Sequence, residues 1–219
     1  MSASRKRSPG TFLVLEGYDG SGKSTLIDAV RSRLASASIR VVGRKTEPEL
    51  ADISKILERE DLRPDPGVEM LLRIASEVER LRIITRSLFD YDLVVCDRGM
   101  ISMLSWFDYL GVLREPYEPI LYRLYEHHRG ALTIVCRADF ETCWARSSRR
   151  SEQSRKDRLG KDLNRQYFAA YGSNVEKYAA SASGVAFIDT VENDVERSSN
   201  LVLQTLQSSG FWVPGQKRS

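Results

Sequence analysis

The sequence predicts a three-layer α/β fold, with a parallel sheet of about five strands and helices on both faces. Three observations lead there. Five short apolar runs are separated by stretches of helical spacing. The runs are almost continuously apolar, as strands buried on both faces are, and do not alternate. A glycine-rich turn joins the first run to the first helical stretch, as a strand–loop–helix unit requires.

The elements follow in order. Residues 11–16 (TFLVLE) read as a buried strand ending in glycines. Residues 24–35 carry Leu26, Ile27, Val30 and Leu34 on one helical face. A second strand is expected at 40–42. A long amphipathic helix over 67–89 is marked by Met70, Ile74, Leu81, Ile84 and Leu88. No element is read between these two. The third strand spans 93–96, and helices are expected over 102–110 and 119–126. Strand four is 131–136, followed by helices over 141–146 and 163–178. Strand five is 185–188, and the last helix is 195–206, with Asp194 suited to cap it. Right-handed crossovers place the functional loops at the carboxyl ends of the strands.

Composition narrows the class. The chain has 219 residues, a length that suits one domain, expected over 11–213. The 33 basic and 30 acidic residues leave a net charge of +3, too balanced to argue for nucleic acid by itself. The basic Arg5-Lys6-Arg7 keeps a nucleic-acid partner open. Residues 1–10 are basic and polar with no apolar stretch after them, so they read as a disordered lead-in and not a secretory signal. No apolar run reaches the ~18 residues of a membrane span. Cys96, Cys136 and Cys143 form no C-x-x-C pair and read as reduced core thiols, which fits a cytoplasmic protein. Residues 215–219 are expected to fray.

Chemistry enters with Gly17-Tyr18-Asp19-Gly20-Ser21-Gly22-Lys23-Ser24, followed by Thr25. This fits G-x-x-x-x-G-K-[ST] at every fixed position, with a strand before and a helix after. The glycines let backbone N–H groups wrap a phosphate, and the helix presents its positive dipole end to the same anion. Lys23 would reach the β/γ-phosphates of ATP, and the Ser24 hydroxyl would ligate Mg²⁺. The fold expected is therefore a P-loop NTPase.

Asp19 within this loop resembles the thymidylate kinase version of the motif. Three further features are similar to that family: Thr46-Glu47-Pro48 after the second strand, near the family's Arg-Glu-Pro; Asp97-Arg98 closing the third, with Ser102 at its serine position; and an arginine-rich segment, 146–158, like its mobile lid. The resemblance spans 12 to about 178. It implies an ATP-dependent kinase passing the γ-phosphoryl group to a nucleotide, a cytoplasmic protein of nucleotide metabolism, and typically a homodimer formed through helices like 67–89. Asp97, at a strand's carboxyl edge, suits Mg²⁺ held directly or through water, beside the plainer reading of a helix cap or an ion pair with Arg98. Arg98 would face the acceptor. Glu47 would ligate Mg²⁺ through water or take a proton, or is a solvated loop acid. Of the lid arginines, Arg149, Arg150 and Arg155 are the expected phosphate contacts, since guanidinium donors neutralise the charge of phosphoryl transfer. A deoxynucleoside kinase, or a kinase of a modified base in DNA, carries similar motifs. A P-loop switch or ATPase leaves the lid and the Asp-Arg pair without work.

The acceptor side departs from the family. Thr46 replaces the arginine of Arg-Glu-Pro. In the family the long helix carries an aromatic residue that stacks on thymine and an arginine one turn later; Arg73 and Glu77 fall at those positions. Met103 follows Ser102, and Trp106-Phe107 stands where Tyr-Gln is expected. Trp106 and Phe107 read as core, Asp108 and Tyr109 as candidate acceptor contacts, His127 and His128 as helix C-terminal residues, and Trp144 and Trp212 as packing. Glu77 would repel a dianionic phosphate unless Arg73 or Arg80 compensates. Ordinary thymidylate is therefore not the expected best substrate; a modified pyrimidine nucleotide, a nucleoside or something larger is.

Overall fold

Strand β1 (Thr11–Gly17) is the middle of the sheet, and its pleat sorts the core into two halves. Leu13 and Leu15 point to one face and Val14 and Glu16 to the other. This is a computed structural model that describes residues 9–44, 46–59, 64–151 and 153–210. The basic triplet at 5–7, Trp212 and the 215–219 tail lie outside those residues.

The sheet has the order β2-β3-β1-β4-β5, formed by Ile39–Val42, Leu93–Asp97, β1, Leu132–Arg137 and Val185–Asp189. Every pairing is parallel. Helices α1 (Lys23–Arg33) and α9 (Val195–Ser208) cover the Leu13/Leu15 face with Leu26, Val30, Val202 and Leu206. Helices α3 (Pro66–Asp90), α4 (Met100–Leu110), α5 (Glu118–Arg129) and α8 (Lys161–Ser181) cover the other face with Met70, Ile84, Ile101, Phe107, Leu124 and Tyr167. All five expected strands form, and Asp194 caps α9 by accepting from the Arg197 N–H. The three cysteines are buried and free.

Besides a short 3₁₀ turn at Glu115–Tyr117, two α-helices were not expected. Pro48–Glu58 forms α2, with Pro48 in its first turn, so this proline starts a helix where the sequence reading had only a stiff turn. The second is α7 (Arg155–Arg158), within the arginine-rich segment after α6 (Phe140–Ser148). It is short but firmly capped: Ser154 accepts from the Asp157 N–H and Asp157 returns the bond to the Ser154 N–H. Among the described residues, no helix is long and apolar enough to cross a membrane.

Candidate active site

The loop between β1 and α1 needs glycine at Gly20 and Gly22, where φ is 83° and 87°. A β-carbon at Gly20 would also strike the backbone carbonyl of Cys143. The loop is braced from outside. The Thr190 hydroxyl donates to the Ser21 carbonyl at 2.9 Å, and Arg146 donates to the Gly20 and Thr190 carbonyls. Lys23 opens α1, is buried, and donates to the Tyr18 carbonyl at 3.3 Å. Burial, then the nearby Arg98, push its pKa down. Ser24 and Thr25 follow on the exposed start of the helix.

Register sets the acidic side. Leu15 pairs with Asp97 across β1 and β3, so Asp97 stands one strand from the loop at the carboxyl edge. Its Oδ1 is buried with no hydrogen-bond partner among the described residues. Arg98 holds a left-handed backbone, φ 72°, that costs a non-glycine residue about 1–2 kcal/mol. The turn aims its guanidinium back at the loop, where it pairs with Asp19 and donates to the Gly17 carbonyl. Asp19 also takes an ion pair from Lys156 at 3.2 Å. Burial alone would raise the Asp19 pKa, but Arg98, Lys156 and Lys23 hold it far below the carboxylate range.

These groups line a cavity of about 250 Å³ that Lys23, Ser24, Asp97 and Arg98 share with the arginine-rich segment. Glu47 is not among its lining residues; it is buried ahead of α2 and accepts from Arg40 at 2.9 Å. Of the three expected arginines, Arg149 is exposed and outside the lining, and Arg150 is exposed and within it. Arg155 is buried. Its Nη2 donates to both oxygens of Glu69, at 3.2 and 3.1 Å, while its Nη1 is buried without a partner.

Several site residues escaped the sequence reading. Lys156 is one, buried over the loop against Asp19, Tyr18 and Asn164. Glu16 is another: its buried carboxylate accepts from the Gly99 N–H at 2.7 Å and from the Ser102 N–H and hydroxyl at 3.0 and 2.7 Å, fixing the start of α4. An acid ending an apolar strand was the available signal. Arg44 also lines the cavity and has no ion pair among the described residues.

On the far wall Trp106 packs against the core beside Tyr167, as expected, and also lines the cavity, where the Arg73 guanidinium lies over its ring at 3.5 Å. Arg73 is anchored by Glu69 at 2.6 Å, and burial, then Arg44, lower its pKa to about 10. Glu77 does not face the site as a bare charge. Arg80 grips both its oxygens, at 2.7 and 2.6 Å, and His128 bonds it at 3.1 Å. His127 and His128 stand in the last turn of α5, as expected, and His128 is in addition a buried partner of α3. Asp108 turns to Arg114 and Asn174 instead of the cavity. Beside Arg73 and Trp106 is a slot of about 20 Å³, also lined by Arg44, Glu77, Ser102 and Met103.

The family model of thymidylate kinase matches residues 15–195, which include the loop, the Asp97-Arg98 edge and the lid segment. The chain belongs to the thymidylate kinase family. The thymidylate kinase of Mycoplasmoides gallisepticum is 28% identical over 196 residues, 85% of this chain and 92% of that protein. That of Methylococcus capsulatus is 41% identical over 95 residues, 42% of this chain and 45% of that protein. The solved thymidylate kinase of Candida albicans superposes with a TM-score of 0.70 at 16% identity, covering 92% of each chain, a likeness of fold. As a member of the thymidylate kinase family the protein is an ATP-dependent phosphotransferase acting on a nucleotide, and the family match does not favour a deoxynucleoside kinase.

Proposed function

We propose that this kinase transfers the γ-phosphoryl group of ATP to the 5′-phosphate of a nucleoside monophosphate other than ordinary thymidylate. One observation carries the finer claim. Where the family offers an aromatic ring from the long helix, this chain offers Arg73, already stacked on Trp106 and tied to Glu69. The slot beside it, about 20 Å³, holds little more than a water molecule. A base entering from the larger cavity, which Arg73 and Trp106 also line, meets the guanidinium of Arg73, which suits a modified pyrimidine able to bond to arginine. Arg44 takes over from the family's arginine at Thr46 and, with Arg98, receives the acceptor's phosphate.

The donor lies across the loop. Gly20, Ser21, Gly22 and the first turn of α1 hold the phosphates, with Lys23 on the β/γ-oxygens. The base end reaches the second cavity, about 170 Å³, between Thr25 and Arg146. Ser24 and the unpartnered Asp97 Oδ1 fit Mg²⁺, with Glu47 behind Arg40 reaching it only through water. When bound, the ion neutralises charge on the transferring group. An oxygen of the acceptor phosphate attacks the γ-phosphorus, the bond to the β,γ-bridging oxygen breaks, and the electron pair leaves on ADP. The attacking oxygen is already ionised, so no base is needed. Arg155, which lines the cavity and whose Nη1 has no partner, receives the developing charge once the phosphates are bound.

The exposed Val68, Leu71 and Val78 along α3 support pairing of two copies through this helix. The test of the acceptor claim is steady-state turnover over thymidylate, other pyrimidine monophosphates with altered 5-substituents, and the corresponding nucleosides. A kcat/KM for thymidylate at or above ~10⁵ M⁻¹s⁻¹, ordinary for a good substrate, overturns it.

A further inference from the structure

We infer that Glu69 is a positioning residue that ties the acceptor wall to the lid, so that the placement of Arg73 and the closure of α7 are one event. The inference rests on reading the 146–158 segment as the lid, and it does not depend on which nucleotide is the acceptor.

Glu69 sits in the first turn of α3 with no exposed surface. Its carboxylate holds two guanidinium groups from opposite sides of the site. Arg73, one turn on, donates to Oε1 through Nε at 3.2 Å and Nη2 at 2.6 Å. Arg155, eighty-six positions along the chain, donates to Oε1 and Oε2. Arg73 continues to the Trp106 ring on α4. Arg155 begins α7, and its backbone N–H donates to Glu58 at the end of α2 at 2.7 Å. A chain of contacts therefore runs from Trp106 through Arg73 and Glu69 to Arg155, a cavity-lining residue whose Nη1 is left unpartnered.

Charge makes the arrangement conditional. Both guanidinium groups are buried, and two like charges at one buried point repel unless the carboxylate lies between them. With Glu69 ionised, α7 is held down and Nη1 is set at a fixed place. If an acceptor pushes Arg73 off Trp106, Arg73 draws on the oxygens that hold Arg155. If an acceptor packs against Arg73 and presses it onto Glu69, the lid arginine is fixed with it. Coupling of this kind is reciprocal.

Amide hydrogen exchange of α7 tests this in the full chain, both ligand-free and with Mg²⁺ and a non-hydrolysable ATP analogue. Glu69→Gln keeps the shape and loses the charge. It is expected to raise exchange over 155–160 by about tenfold or more, the opening factor of losing one buried charge-assisted bond. Arg73→Ala, on the other wall, removes a like charge and leaves both Glu69 oxygens to Arg155, so it is expected to lower exchange over 155–160 measurably. In the double variant that added protection is expected to vanish, because it acts through the Glu69 charge. Glu69→Asp, which keeps the carboxylate, is expected to stay near wild type and guards against a folding defect. In kinetics Glu69→Gln lowers kcat while KM for ATP holds. The inference is overturned if Arg73→Ala leaves lid exchange unchanged or raises it, if the two effects multiply, or if Glu69→Gln leaves the lid closed. A failure of the functional reading shows elsewhere: the analogue then gives no protection over 20–25, or thymidylate turns over well, and the ligand-free lid exchange still decides.

Discussion

Replacing Arg155 with alanine removes a guanidinium that is half committed. Nη2 is spent on Glu69, and Nη1 has no hydrogen-bond partner. An arginine that gives its whole fork to a transferring phosphoryl group can be worth about 10³–10⁵ in turnover. One charge-assisted hydrogen bond is worth about 1.5–3 kcal/mol, which is roughly 10- to 150-fold in rate. Arg155→Ala is therefore expected to lower kcat by one to two orders of magnitude and no more, with ATP affinity little changed. Loss of the charge leaves Glu69 still paired with Arg73, so the fold should survive with a modest drop in melting temperature. Single-turnover kinetics at saturating ATP give the rate, and displacement of a fluorescent ATP analogue gives the affinity. Full turnover in Arg155→Ala, or a larger loss in Arg150→Ala or Arg149→Ala, refutes the assignment, because of these three arginines Arg155 alone is buried with an unpartnered donor.

Three other outcomes are expected. Lys23→Ala removes the buried ammonium at the start of α1 and is expected to cost at least ~10²-fold in kcat with an unchanged circular dichroism spectrum, since a preorganised donor acts on the transition state; near wild-type turnover would remove the loop from the reaction. Glu77 is held down to about 2 because Arg80 and His128 outweigh the burial that would raise it. A lowered folded pKa gives stability that is complete above about 4.5 and lost as pH falls towards about 2, on the order of 3 kcal/mol. Denaturant melts of wild type and Glu77→Gln should therefore differ most above pH 5 and converge at pH 2, and parallel curves would show that Glu77 does not titrate as described. Glu47→Gln is expected to cost less turnover than Lys23→Ala, because Glu47 faces Arg40 and not the cavity lining; a loss above ~10²-fold that excess Mg²⁺ leaves untouched would restore a proton-accepting role.

Strand runs such as 93–96 were legible because a strand covered on both faces has no polar alternation to confuse it. The phosphate loop was legible because its glycines and lysine are fixed by local geometry. Helix α2 is masked by Pro48: Leu50, Ile53 and Leu57 keep helical spacing behind it, but a proline marks a turn as readily as the first turn of a helix, which it occupies here. Periodicity failed in a different way on α3. A charged residue is assigned to solvent by default, yet Glu69, Arg73, Glu77 and Arg80 all face inward. Their burial depends on partners 50 to 90 positions away, His128 and Arg155 among them, and no local pattern reports such a pairing. Lys156 was missed for the same reason: amid a basic, polar segment, nothing marks the one cation that folds down onto Asp19.

The unpaired atoms then say more about the site than the paired ones. A cavity lined by Lys23, Arg44, Arg73, Arg98, Arg150, Arg155 and Lys156 would be strongly repulsive if each charge stood alone. Most do not. Arg98 and Lys156 share Asp19, and Arg73 and Arg155 share Glu69. That sharing fixes each cation before any ligand arrives, which is what preorganised electrostatic stabilisation requires. Lys23, Arg44 and Arg150 have no acidic partner among the described residues, and Nη1 of Arg155 and Oδ1 of Asp97 have no hydrogen-bond partner. Phosphoryl groups would supply anions for the cations and a divalent cation would satisfy the carboxylate oxygen, which fits the nucleotide kinase that the family match shows.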